Sequence, residues 1–157
     1  MPTRDSILVA DDDADFLVLL AESVERLRPY VRVLQAGSGQ AALDILRRWR
    51  EQNDVPRPSL VCLDVEMPGV GGLDVLASIK ADPDLAEMPV VLMTGRDHDD
   101  ARLLAARAGA DGFAHKGAEV LDTAKTILAA HEWFGHDRLP VASWPTPVGA
   151  QEGDEQP

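Results

Sequence analysis

Four short apolar runs each end on a side chain that could take part in phosphoryl chemistry. Asp11, Asp12 and Asp13 follow Ile7-Leu8-Val9-Ala10, and Asp64 closes Leu60-Val61-Cys62-Leu63. Thr94 closes Val90-Val91-Leu92-Met93, and His115-Lys116 follows Gly112-Phe113-Ala114. Carboxylates gathered at one spot repel by about 4 kcal/mol per pair at ~4 Å and an effective dielectric near 20, so a cation must hold them together. Hard oxygen donors that leave open positions suit Mg²⁺. Lys116 adds a fixed positive charge and Thr94 a hydroxyl donor. A carboxylate such as Asp64 in that setting can attack phosphorus in line while the cations neutralise the equatorial oxygens, giving an aspartyl phosphate. Taken singly each feature is ordinary: an acid after a strand commonly caps a turn, a threonine a helix, and a lysine sits on the surface. One such residue at the end of each of four strands is a pattern.

These positions mean something only if the runs are strands. Leu60–Leu63 is bounded by turn formers, Pro58 before it and Met67-Pro68-Gly69 after it, the signature of a strand buried on both faces. Ligands collect outside the carboxyl ends of strands in an open parallel sheet, so Asp64 points into the expected site. Val31–Ala36 reads as a second strand. Between the strands run helical stripes: Phe16, Leu20, Val24 and Leu27, capped by Asp13 or Asp15 and ending before Pro29; then Ala42, Ile45, Leu46 and Trp49, capped by Ser38 and running to about Gln52. Leu73, Leu76 and Ile79 mark a third helix that ends near Pro83. A fourth runs from about Asp99 to Ala108 with Gly109 as its C-cap, and the last carries Val120, Leu121, Ala124, Ile127, Leu128 and His131. Five strands alternating with five helices predict right-handed βαβ units, a doubly wound α/β fold with a parallel sheet covered on both faces.

The chain has 157 residues, enough for one domain that buries roughly two-thirds of its unfolded surface. No apolar run approaches a membrane span and the N-terminus lacks a signal-peptide core, so the expectation is a cytoplasmic protein. The single cysteine, Cys62, lies in the central strand and reads as a small buried hydrophobe. A net charge of −12 argues against a broad phosphate-binding face, hence against nucleic acid as a partner. We expect one domain over 1–134. Residues 135–157, with Pro140, Pro145, Pro147 and an acidic end, read as a tail without a packed core. Trp133, Phe134 and Trp144 stand just past the last stripe; the simplest expectation is that they lie back on their own domain, and the other is that they meet a partner or a second copy.

On four motifs, ILVADDD at 7–13, LVCLDVEMPGVGG at 60–72, VVLMTG at 90–95 and GADGFAHKG at 109–117, the chain resembles the CheY-like receiver domain of bacterial two-component response regulators. The likeness covers about 1–132 and implies a flavodoxin-like sheet in the order 2-1-3-4-5. It implies Asp64 as the acceptor of a phosphoryl group from a histidine kinase or a histidine phosphotransfer protein. It further implies Asp12 as a direct Mg²⁺ ligand, Asp11 acting mostly through water, Glu66 lending its backbone carbonyl, and Lys116 facing the phosphoryl group. Thr94 and Phe113 resemble the switch pair that shifts the population between two packings of the C-terminal face. Such a protein signals rather than turning over a second substrate.

Departures from the family pattern are Gly117 where proline commonly follows the lysine, Gly95 where alanine is commoner, and Asp13 as a third acid. Glu66 and Arg96 stand at the two positions that in this family influence hydrolysis of the phosphoryl group, and an ion pair between them would shield the site. No output module follows, so the chain resembles the stand-alone class. The loop before the central strand, IKADPDLAEMPVVLMT at 79–94 and the WFG-x4-P stretch from Trp133 are similar to response regulators paired with bacteriophytochromes, which implies such a sensor as a partner and a homodimer through the C-terminal face.

Two other readings compete. A haloacid dehalogenase-like phosphatase would use Asp11 as nucleophile and Asp13 as acid, but no acidic pair follows a strand beyond Lys116 and no cap domain is present. A receiver fold used only for binding, without phosphorylation, is kept open by Gly117. A calcium loop at Asp11, Asp13 and Asp15 fails because Phe16 stands where glycine is needed.

Overall fold

The computed structural model describes residues 5–52, 55, 57–117 and 119–136. Five strands and five helices alternate: β1 (Asp5–Ala10), α1 (Ala14–Leu27), β2 (Val31–Ala36), α2 (Gly39–Glu51), β3 (Leu60–Asp64), α3 (Gly72–Ala81), β4 (Val90–Thr94), α4 (His98–Ala108), β5 (Gly112–His115) and α5 (Val120–His136). The strands form one parallel sheet in the order β2-β1-β3-β4-β5. Every residue of β3 and β4 is buried, as their unbroken apolar runs require.

Successive side chains on a strand point to opposite faces, and the core divides accordingly. Leu8, Ala10, Val61, Leu63, Leu92 and Phe113 pack with residues of α2, α3 and α4, among them Leu46, Leu76 and Ala105. Ile7, Val9, Cys62, Val91, Met93 and Ala114 pack with Phe16, Leu20 and Val24 of α1 and Ala124, Ile127 and Leu128 of α5. The helix starts are fixed locally. Asp13 is the N-cap of α1, its carboxylate accepting from the Phe16 N–H at 3.1 Å; Ser38 and Asp97 cap α2 and α4 in the same way. Gly109 closes α4 in the left-handed conformation, φ 80°.

Two stripe positions expected in the core are exposed. On α3 the buried set is Gly72, Val75, Leu76 and Ile79, whereas Leu73 is 38% exposed. Leu73 stands about 100° round the helix from Gly72, off the face that i, i+3, i+4 and i+7 define. Leu121, 44% exposed, is displaced from the core-facing stripe of α5 for the same reason. The last helix also runs further than expected, so that Trp133 and Phe134 belong to it rather than following it. Phe134 packs against the core shared by α1 and α5, and Trp133 is half-buried. Trp144 and the expected tail beyond 136 lie outside the described residues. No helix of the described residues is long and apolar enough to cross a membrane.

Candidate functional site

The sheet order puts the carboxyl ends of β1 and β3 side by side at its centre, and the acids that follow them meet there. One oxygen from each of Asp11, Asp12 and Asp64 can be chosen so that all three lie within 4.8 Å of one another. Asp11 is fully buried and Asp64 is 5% exposed, while Asp12 faces solvent. The turn holding them is built from the chain itself. The Asp11 N–H donates to the Ala36 carbonyl at the end of β2, and Oδ1 of Asp11 accepts from the Asp13 N–H at 2.9 Å. Asp64 is held at the end of β3 by the Val65 N–H, which donates to Met93 of β4, and its Oδ1 lies 3.4 Å from the Glu66 N–H.

Lys116 arrives from the far side. Its backbone N–H donates to the Thr94 carbonyl at 2.8 Å, continuing the β4 to β5 ladder by one residue. Its Nζ donates to Asp11 Oδ2 at 2.7 Å and stands 3.6 Å from Asp64 Oδ2. Asp11 and Asp64 thus share one ammonium, and the surrounding charges act on the titration of Asp64 and Lys116. Burial pushes the Asp64 carboxyl up to about 6, with the negative charge of Asp11 adding to it and Lys116 and the Glu66 N–H opposing it. For Lys116 burial acts against the charge, but the Asp11 hydrogen bond and the surrounding carboxylates outweigh it and raise the ammonium above its ordinary value.

Thr94 is buried at the end of β4, and its hydroxyl accepts from the Arg96 N–H at 3.1 Å. Phe113, one strand over, is 2% exposed in the core cluster on the α4 side. Above the site the Arg96 guanidinium lies 3.9 Å from the Glu66 carboxylate, a solvent-exposed ion pair that spans the loops after β3 and β4. The structure therefore brings Asp11, Asp12, Asp64 and Lys116 together, sets Thr94 on the neighbouring strand end, and places Glu66 at the rim. Asp13 is engaged in capping α1 and is not a free acid beside Asp11, which disfavours the phosphatase arrangement.

Two contributors escaped the sequence. Gly72 starts α3 so close to β3 that a Cβ there would collide with the Asp64 carbonyl oxygen, and a Cβ on Gly39 would meet the Val70 carbonyl oxygen in the same way. In the sequence Gly72 is visible only as one more turn glycine. Phe16, read as a core residue of α1, carries the Lys116 Nζ 4.6 Å above its ring centre.

A family model for the response regulator receiver domain matches residues 7–127. The response regulator Rcp1 of Synechocystis sp. is 29% identical over 142 residues, which span 90% of this chain and 96% of Rcp1. Its solved Mn²⁺-bound form superimposes with a TM-score of 0.68 at 27% identity, covering 87% of this chain and 99% of that one. The bacteriophytochrome response regulator AtBRR gives a TM-score of 0.70 at 25% identity over 89% of this chain and 99% of its own. Against the chemotaxis protein CheV2 of Helicobacter pylori the chain is 34% identical over 126 residues but spans only 36% of that protein. The matched segment runs from the first strand into the last helix and contains each strand end described above, and on that ground the chain belongs to the response regulator receiver domain family, the response regulators of two-component systems.

Proposed function

We propose that Asp64 is the phosphoryl acceptor of this response regulator and that a histidine kinase or histidine phosphotransfer protein is the donor. The observation that carries this reading is the meeting of Asp64 with Asp11, Asp12 and Lys116 at the end of the central strands. In the reaction an Asp64 oxygen attacks the phosphorus of a phosphohistidine, the P–N bond breaks, and its electron pair returns to the imidazole, which takes up a proton. The acceptor must be ionised. Lys116 favours that form, and from 3.6 Å it is within reach of an oxygen of the incoming group. Thr94 needs only to give up the Arg96 N–H and turn to offer its own proton to another oxygen.

The residues present also suit Mg²⁺. Three carboxylates within 4.8 Å against one ammonium leave a local excess of negative charge, and the donors are hard oxygens. Asp11, Asp12 and Asp64 would hold the ion, with the Glu66 carbonyl as a further donor, and when bound it would neutralise charge on the transferring group. The Mn²⁺-bound form of the relative Rcp1 supports a divalent cation in this fold. Thr94 and Phe113, at the ends of neighbouring strands, are the proposed switch pair: recruitment of the Thr94 hydroxyl frees space beside β4 and shifts the population of the α4–β5–α5 face. Likeness to the bacteriophytochrome response regulator AtBRR supports a bacteriophytochrome-type sensor as the source of the signal. A homodimer through the C-terminal face and cytoplasmic action belong to the same reading.

The test is the intact mass of the protein after incubation with Mg²⁺ and acetyl phosphate, for the wild type, Asp64→Asn and Asp11→Asn. One phosphoryl adduct on the wild type, absent from Asp64→Asn and lost with EDTA, is expected. An adduct that survives Asp64→Asn but disappears with Asp11→Asn would move the acceptor to Asp11.

A further inference from the structure

Among the described residues that flank the Lys116 ammonium, one is not a carboxylate. Besides Asp11 and Asp64, Nζ faces the Phe16 ring, 4.6 Å from its centre and inside the range at which an aromatic face attracts a cation. The ring is held in the core. Phe16 is 9% exposed, packs in the cluster formed by β1, β3, α1 and α5, and its backbone N–H is tied to the Asp13 carboxylate that caps α1. The Asp13 N–H is tied in turn to Asp11 Oδ1, so one turn of chain fixes both the carboxylate and the ring that flank the ammonium.

An aromatic face differs from a carboxylate in a way that matters for group transfer. Attraction to a ring does not demand a particular N–H direction, whereas a hydrogen bond to Asp11 does. An ammonium resting on the ring can turn its N–H groups from Asp11 towards an oxygen at Asp64 and stay in place. An aliphatic side chain of similar size would desolvate the charge and return nothing.

We propose that Phe16 is a positioning residue for Lys116, its ring holding the ammonium beside Asp64 while the N–H donors exchange one partner for another. This rests on Asp64 being the phosphoryl acceptor. The test places mono-, di- and trifluorinated phenylalanine at position 16 of the full chain and follows the rate of phosphorylation by acetyl phosphate at saturating Mg²⁺. Fluorination weakens the ring's attraction for a cation while changing its shape little. A stepwise fall is expected, reaching about two- to thirtyfold across the series, with the protein still fully folded at the assay temperature. Phe16→Tyr and Phe16→Trp should keep most of the rate, and Phe16→Leu should lose it. In the proton NMR spectrum the Lys116 ε-methylene should carry an upfield ring-current shift that Phe16→Leu removes. A flat rate across the fluorinated series, or a fall that only tracks the melting temperature, would overturn the role of Phe16 while leaving Asp64 as the acceptor. An unmodified chain that takes no phosphoryl group from acetyl phosphate or a histidine kinase would instead remove the acceptor reading, and this inference with it.

Discussion

Replacing Asp64 by asparagine removes a charge that the folded chain holds at a cost. In the folded protein the carboxyl is pushed from its ordinary 3.8 up to about 6, first by burial and then by Asp11. At ~1.4 kcal/mol per pH unit the rise amounts to about 3 kcal/mol against the ionised form at neutral pH. Asp64 itself is 5% exposed, but Asp12 beside it faces solvent, so screening takes part of that figure. The sign follows from proton counting. Between pH ~4 and ~6 the folded carboxyl keeps its proton and the unfolded one has lost it, so stability falls as pH rises through that window. Asparagine keeps the shape and an acceptor for the Glu66 N–H, and gives up the attraction of Lys116. The metal-free Asp64→Asn protein should therefore be more stable than wild type by about 1–3 kcal/mol at pH 7, several degrees in melting temperature, and the gap should close near pH 4. Urea unfolding with EDTA at pH 4, 5.5 and 7 measures it. Added Mg²⁺ should raise the wild type and narrow the gap. A variant no more stable than wild type at pH 7, or a gap that ignores pH, would refute the claim that buried charge at Asp64 is held under strain.

Gly72→Ala should destabilise the fold by about 2 kcal/mol or more and slow phosphorylation, because the new Cβ can be seated only by moving the backbone of Asp64; denaturant titration and the acetyl phosphate rate report the two effects. Glu66→Ala and Arg96→Ala should each speed hydrolysis of the phosphorylated protein a few-fold, since either opens the ion pair over the site, and the double variant should add little; decay of the adduct mass decides it. Cys62 is wholly buried and burial pushes its thiol up, so it should resist maleimide in native buffer and react promptly in guanidinium; fast native labelling would mean that the central strand opens.

The residues that meet at the site could be located from sequence because a parallel sheet sends all its carboxyl ends the same way. Once Leu60–Leu63 and Val90–Met93 were strands, Asp64 and Thr94 had no other place to go. Asp13 as the cap of α1, Ser38 as the cap of α2 and Gly109 as the end of α4 were legible because each satisfies a local hydrogen-bonding or backbone need that the residue type announces. Facing was less legible than existence. Leu73 and Leu121 are apolar and near the right spacing, yet which arc of a short helix meets the sheet depends on where the preceding loop sets its first residue, and that is a tertiary fact. The ring beneath Lys116 is a contact between segments a hundred residues apart, and the close approach of Gly72 to β3 is set by how the eight residues after Asp64 fold back; neither is written in a local periodicity.

The bond from Lys116 to Asp11 has a mechanical side. β5 is a four-residue edge strand that, among the described residues, pairs with β4 alone. Lys116, at its tip, reaches back over β4 and β3 to the carboxylate that follows β1, and so works as a clasp between the margin of the sheet and its middle. Force and charge are then coupled at one atom. With Asp64 as the proposed acceptor, a partner that shifted β5 or the start of α5 would slacken the clasp and withdraw positive charge from Asp64, and a phosphoryl group that drew the ammonium towards Asp64 would pull on the margin in return.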